Sequence, residues 1–142
     1  MDIKGKIKER LGKKIIDWKE NSSRRIYLTV NKEDIVEVAK FLFKDLGMRF
    51  SIASGVDTPL ALEILYHFTI DETGEFYSVR TFIKDKKKPE IDSIAVIFPG
   101  AEWIEREIWE MLGVNFIGHP NLKRLLLSED WPEGKYPLRH EQ

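Results

Sequence analysis

The sequence predicts an α/β (α+β) fold: a single small domain with a mixed or antiparallel sheet, packed helices and an extended C-terminal segment. Three observations predict it. Apolar residues from Leu60 to Ile70 fall on one parity, and Tyr77, Val79, Thr81 and Ile83 return on the same period after Asp71-Glu72-Thr73-Gly74, the pattern of a hairpin with one well-buried face. Ile35, Ala39, Leu42 and Leu46, and the run Ala101–Leu112, carry helical period, each followed by a glycine suited to a helix end. From His119 onward the period is lost and three of the six prolines occur, so the chain ends as an ordered, extended tail.

In order along the chain, residues 3–19 read as an amphipathic helix, with Ile7, Leu11 and Ile15 at i, i+4 and i+8 and Trp18 on the same side. Asn21-Ser22-Ser23 breaks it, and Arg24–Val30 is a strand on its β-branched and aromatic content. Asn31 is the expected N-cap of the next helix, with Glu33 and Asp34 in its first turn. Met48–Ala53 reads as a short strand before the loop 54–59. After the hairpin, Lys84–Pro89 is a basic, solvated connection, and Ser93 caps a short helical piece, Ile94–Phe98, before the break at Pro99-Gly100. One domain, 1–142, is expected, with a docking segment at about 113–142.

Composition removes several function classes. Apolar residues at 42% and aromatics at 11% suit a globular chain. The formal charge of −1 gives no global attraction to nucleic acid or to an anionic bilayer. There is no cysteine, so thiolate-held iron–sulfur clusters, disulfides and thiol catalysis are excluded. No stretch reaches the roughly eighteen apolar residues of a spanning helix, and the N-terminus has no apolar core of a signal peptide.

The segment from Glu105 to Arg139 concentrates the chemistry. Glu102, Arg106 and Glu110 lie in i,i+4 register on one helix, which describes a salt-bridged helix face. Arg106 suits bidentate pairing with carboxylates, so Glu105, Arg106 and Glu107 are candidates for an ion-pair network at a subunit surface. The rival reading is a stand-alone metal-assisted hydrolase using Glu105, Glu107 and His119. It is opposed by the divergence of i,i+2 side chains and by the absence of HExxH or HxH spacing. His119-Pro120 marks a chain reversal. Lys84, Lys86, Lys87 and Lys88, with Lys123 and Arg124, raise a nucleic-acid reading, which the flanking acids oppose. Three of the four tryptophans lie in the last forty residues; Trp131, on an irregular segment near Tyr136, needs a surface to cover, which tilts this end toward protein binding.

The whole pattern resembles the 30 kDa subunit of NADH:quinone oxidoreductase, respiratory complex I, and equally the matching small subunit of membrane-bound energy-converting hydrogenases. The family signature is matched by Glu105-Arg106-Glu107, Glu110, Met111-Leu112, His119, Lys123 and Leu125-Leu126. Val56-Asp57, Glu63–His67, Ser93, Ala101-Glu102-Trp103, Asp130-Trp131 and Pro137-Leu138-Arg139 also fall where the family has them. Glu110 stands where the family usually has Asp, and Met111 where it has an aromatic. The short ending and the wording WPEGKYPLR look more like the hydrogenase-type or archaeal branch. The resemblance implies a cofactor-free α/β subunit that packs against a hydrogenase-like large subunit and an iron–sulfur small subunit. It would sit on the cytoplasmic side of the membrane, with Glu105, Arg106, Glu107, His119, Arg124, Trp131 and Arg139 forming or orienting the docking face.

Overall fold

The computed structural model describes residues 2–123 and 131–140. It is a mixed α+β fold, as the sequence predicts. A five-stranded sheet has the order β1-β2-β5-β4-β3, and a separate pair is β6-β7. By contact density the chain divides into two compact units, 1–52 with 65–81, and 53–64 with 82–142.

The first unit opens with α1, Ile3–Leu11, capped by Asp2 Oδ1, which accepts from the Gly5 N–H at 3.0 Å. The predicted helix over 3–19 is half right. Ile7 and Leu11 are fully buried on its inner stripe, but the chain turns at Gly12 and continues as strand β1, Ile15–Ser22. Gly12 is a weak helix former, Ile15-Ile16 are β-branched, and a free strand edge offers ladder hydrogen bonds that a helix end does not. β1 pairs antiparallel with β2, Arg25–Val30, with register shifts near both ends. The Ser22 hydroxyl accepts from the Arg24 and Arg25 N–H groups to close the hairpin. An edge strand that is bulged, charged and mostly exposed resists pairing with other chains.

The second predicted helix is present but irregular. A 3-10 turn at Lys32–Asp34 leads into α2, Ile35–Lys40, followed by a π-helical turn, Phe41–Asp45. Asn31 does not cap through its side chain; the backbone closes the turn instead, Asp34 N–H to the Asn31 carbonyl at 3.0 Å. Gly47 takes φ 68°, the left-handed conformation that ends the segment.

β3 (Arg49–Asp57), β4 (Leu62–Ile70) and β5 (Glu75–Ile83) run longer than predicted or nearly as predicted. The alternation holds in detail: Leu62, Ile64, Tyr66 and Phe68 are buried, as are Tyr77, Val79, Thr81 and Ile83. β5 also lies parallel to β2, with Leu28 opposite Val79, a pairing between distant segments that local period cannot announce. The second unit adds β6 (Glu90–Asp92), α3 (Ala101–Leu112) and β7 (Asn115–Ile117), with β6 and β7 parallel. Neither short strand is announced by the sequence. The expected helix at Ile94–Phe98 is a single turn, closed by the Ile97 and Phe98 N–H groups on the Ile94 carbonyl. Among the described residues no helix is long and apolar enough to cross a membrane.

Candidate functional site

Glu105, Asp57 and Glu110 are the buried carboxylates of the second unit among the described residues, and the first two organise it. On α3 the inward stripe is Ala101, Ile108 and Leu112, at i, i+7 and i+11, and Glu105 occupies its i+4 position. Glu105 is 1% exposed. Its two oxygens accept from the Ser93 hydroxyl at 2.5 Å and the Ile94 N–H at 2.9 Å, while Ser93 Oγ accepts from the Ala95 N–H at 3.0 Å. The Ser93 N–H in turn donates to the Ile117 carbonyl at 2.8 Å. Glu105 therefore ties α3 to the irregular chain after β6. Burial pushes its carboxyl above the ordinary 4.5, against the opposing pull of Ser93, Ile94 and the nearby His119.

The second carboxylate is Asp57, whose side chain has no solvent exposure. Lys86 Nζ lies 2.5 Å from Oδ1, Arg139 Nε 3.8 Å from Oδ2, and the His140 N–H donates to Oδ2 at 2.7 Å. Burial raises this carboxyl's pKa, but Lys86, the His140 N–H and Arg139 outweigh it and hold it below the ordinary 3.8. Arg139 also donates to the Leu112 carbonyl at 3.0 Å and the Lys86 carbonyl at 2.7 Å. Lys86 Nζ donates to the Thr58 carbonyl at 2.8 Å. The tail is thus strapped to the end of α3 and to the loop after β3. The strap is reinforced by the Leu138 N–H on the Met111 carbonyl at 2.9 Å. Two glycines make the close approaches possible. Gly113 is left-handed at φ 81°, and a Cβ there would stand 2.5 Å from the Tyr136 ring; one at Gly55 would stand 2.5 Å from Leu112 Cδ1.

The remaining predicted residues separate by role. Arg106 is buried, donates to the Lys123 carbonyl at 2.9 Å, and lies 5.0 Å over the Trp103 ring. His119 Nδ1 accepts from the Asn121 N–H at 2.9 Å, which leaves the proton of the neutral ring on Nε2, 2.9 Å from the Glu102 carbonyl. Trp131 is 37% exposed and donates its indole N–H to the Lys135 carbonyl. Glu107 points to solvent, and Arg124 lies outside the described residues. Glu105, Glu107 and His119 do not converge as metal ligands. Glu105 is inward, Glu107 is outward, and both ring nitrogens of His119 are engaged by backbone. Asp57, Lys86 and Ser93 are the site residues that chemistry-based sequence reasoning missed. The available signals were the family resemblance at Val56-Asp57 and Ser93, and the stripe position of Glu105.

Among the described residues, the exposed large apolar side chains other than Ile16 and Ile52 all belong to the second unit. They include Leu60 at 88%, Val96 at 75% and Trp103 at 58%.

The model of the respiratory-chain NADH dehydrogenase 30 kDa subunit family matches residues 28–142. This chain belongs to that family. It is 34% identical to the C subunit of NADH-quinone oxidoreductase from Chelativorans sp., over 99% of this chain and 70% of that one. It is 32% identical to the same subunit from Citrifermentans bemidjiense, over 96% and 84%. Against the NADH-quinone oxidoreductase C/D subunit of Bacteroides thetaiotaomicron it is 36% identical over 71% of its own length, and there it spans only 19% of the relative. Among solved structures, it superposes on a chain of the membrane-bound sulfane sulfur reductase, an archaeal respiratory membrane complex. That match has a TM-score of 0.82 and 25% identity, covering 96% of this chain and 82% of that one. A trypsin-resistant fragment of Nqo5 matches with TM-score 0.70 and 20% identity, covering 86% of this chain and 100% of that fragment, which shows the same fold.

Proposed function

We propose that this chain is a cofactor-free docking subunit in the peripheral arm of a membrane-bound oxidoreductase of the complex I or energy-converting hydrogenase type. It supports electron transfer carried out by its partners, a hydrogenase-like large subunit and an iron–sulfur small subunit, on the cytoplasmic side of the membrane. The observation that carries the reading is the near full-length superposition on a chain of a respiratory membrane complex by a sequence with no cysteine. The exposed apolar side chains carried by the second unit support it, because exposed apolar surface favours protein contacts. In this reading Glu105, Arg106, His119 and Arg139 shape the docking face from within, and Glu107, Trp131 and Trp103 meet the partner. Arg124, outside the described residues, is assigned to the same face in this reading.

Removing residues 119–142 is expected to abolish co-purification with the large subunit. That deletion also strips Arg139 and His140 from buried Asp57, so the cleaner test keeps the strap. Trp103→Ala combined with Trp131→Ala should leave circular dichroism and thermal unfolding nearly unchanged and lose the large subunit on purification. Full assembly of the double variant would sink the reading.

A further inference from the structure

We propose that the groove lined by Thr58, Pro59, Leu60, Ala61, Phe82 and Lys84 seats an acidic, apolar segment of a neighbouring protein subunit. An aliphatic or aromatic side chain would enter the groove, and carboxylates would lie over its lysine rim. The inference rests on the docking-subunit reading above and adds a site and a partner chemistry to it. The groove encloses about 630 Å³, within the range that receives side chains or small ligands. Leu60 is 88% exposed and Phe82 39%, yet Leu60 does not sit on a loose loop. The Thr58 N–H donates to the Ala61 carbonyl at 2.9 Å, the Thr58 hydroxyl donates to the same carbonyl at 2.6 Å, and the Ala61 N–H returns to that hydroxyl at 3.1 Å. Pro59 fixes one backbone angle of this turn. Lys86, locked on Asp57, clamps the Thr58 carbonyl at 2.8 Å. A side chain held out to water on a braced turn loses little freedom when it is covered, which is how a binding anchor is pre-organised.

The rim supplies the charge. Lys84 lines the groove, and Lys87 and Lys88, close after it in sequence, are exposed. Asp85 Oδ1 accepts from the Lys87 and Lys88 N–H groups at 3.1 and 3.2 Å, which curls the connection and fixes where those lysines start. Lys86 is engaged by Asp57, so three cations and one acid face outward. The complementary partner carries carboxylates around an apolar residue. A protein segment that carries both an apolar side chain and carboxylates satisfies the apolar lining and the lysines together.

The test places p-benzoylphenylalanine at Leu60 of the full chain in the native complex, and separately at Phe82, with irradiation and sequencing of the crosslinked peptide. The expected product is a peptide of another subunit whose crosslinked residue is flanked by Asp or Glu. Lys84→Glu, Lys87→Glu and Lys88→Glu together should cut the yield about tenfold through loss of rim pairing. Crosslinks to lipid, to nucleic acid or to a segment without carboxylates overturn the proposal. So do an assembled complex with no crosslink from either position and a yield indifferent to charge reversal. Absence of the chain from the complex instead overturns the docking-subunit reading, and this inference with it.

Discussion

Asp57 and Glu105 are both acidic, both buried and both hydrogen-bonded, yet the fold shifts them in opposite directions. Asp57 has cations beside it and is held below 3.8, whereas Glu105 has neutral donors and is pushed above 4.5. The signs of their linkage follow. The stability that Asp57 contributes is present above its ordinary value and is lost as pH falls through its depressed one. Glu105 behaves oppositely: the folded state holds its proton more tightly, so stability falls as pH rises from 4.5 to the raised value. Asp57→Ala should therefore cost about 3–5 kcal/mol at neutral pH by stranding Lys86 and Arg139, and should lose part of the acid-side decline in urea midpoint. Glu105→Ala strands the Ile94 N–H and the Ser93 hydroxyl and is expected to cost about 2–3 kcal/mol in denaturant unfolding. Glu105→Gln keeps an acceptor for Ile94, so it should fold normally and flatten the stability profile above pH 4.5. A steep residual decline there would show that Glu105 is not its source. Glu105 and Arg106 are legible in the sequence as important, but not as inward-facing; only the stripe Ala101, Ile108, Leu112 hints at it.

At the scale of elements, strong local period predicts correctly and weak period does not. β4, β5 and α3 carry long uninterrupted alternation or helical spacing, and the structure matches them closely. The spacing of Ile7, Leu11, Ile15 and Trp18 predicts one helix through residue 19, but Gly12 interrupts it and pairing with β2 decides for strand from Ile15. β6 and β7 are three residues each and exist through mutual pairing, which leaves no period to read. The join between α3 and the tail depends on one glycine. Gly113→Ala meets a left-handed penalty of about 1–2 kcal/mol and a clash with the Tyr136 ring. The variant should unfold at lower denaturant, and Tyr136 should become more accessible to chemical modification. An unchanged midpoint would show that the strap tolerates displacement.

For the whole molecule, the exposed large apolar side chains of the described residues are concentrated in the second unit. Exposed Leu60, Val96 and Trp103 are costly to leave in water and favour association. Substituting Leu60→Lys with Val96→Lys is expected to raise the solubility of the isolated chain while lowering its incorporation into the complex, measured as the ratio of this chain to the large subunit proposed as its partner. Improved solubility with full incorporation would place the docking face elsewhere. By itself the sequence determined the fold class, the hairpin, the long helix, the lack of thiolate ligands and the family, because these depend on composition, local period and ordered motifs. Tertiary structure alone decided that Asp57 reaches His140 across 83 residues, that a lysine from a seemingly solvated loop packs against it, and that Glu105 turns inward. Those outcomes depend on which distant groups meet when water is excluded, and a buried charge can only be understood once its partners are known.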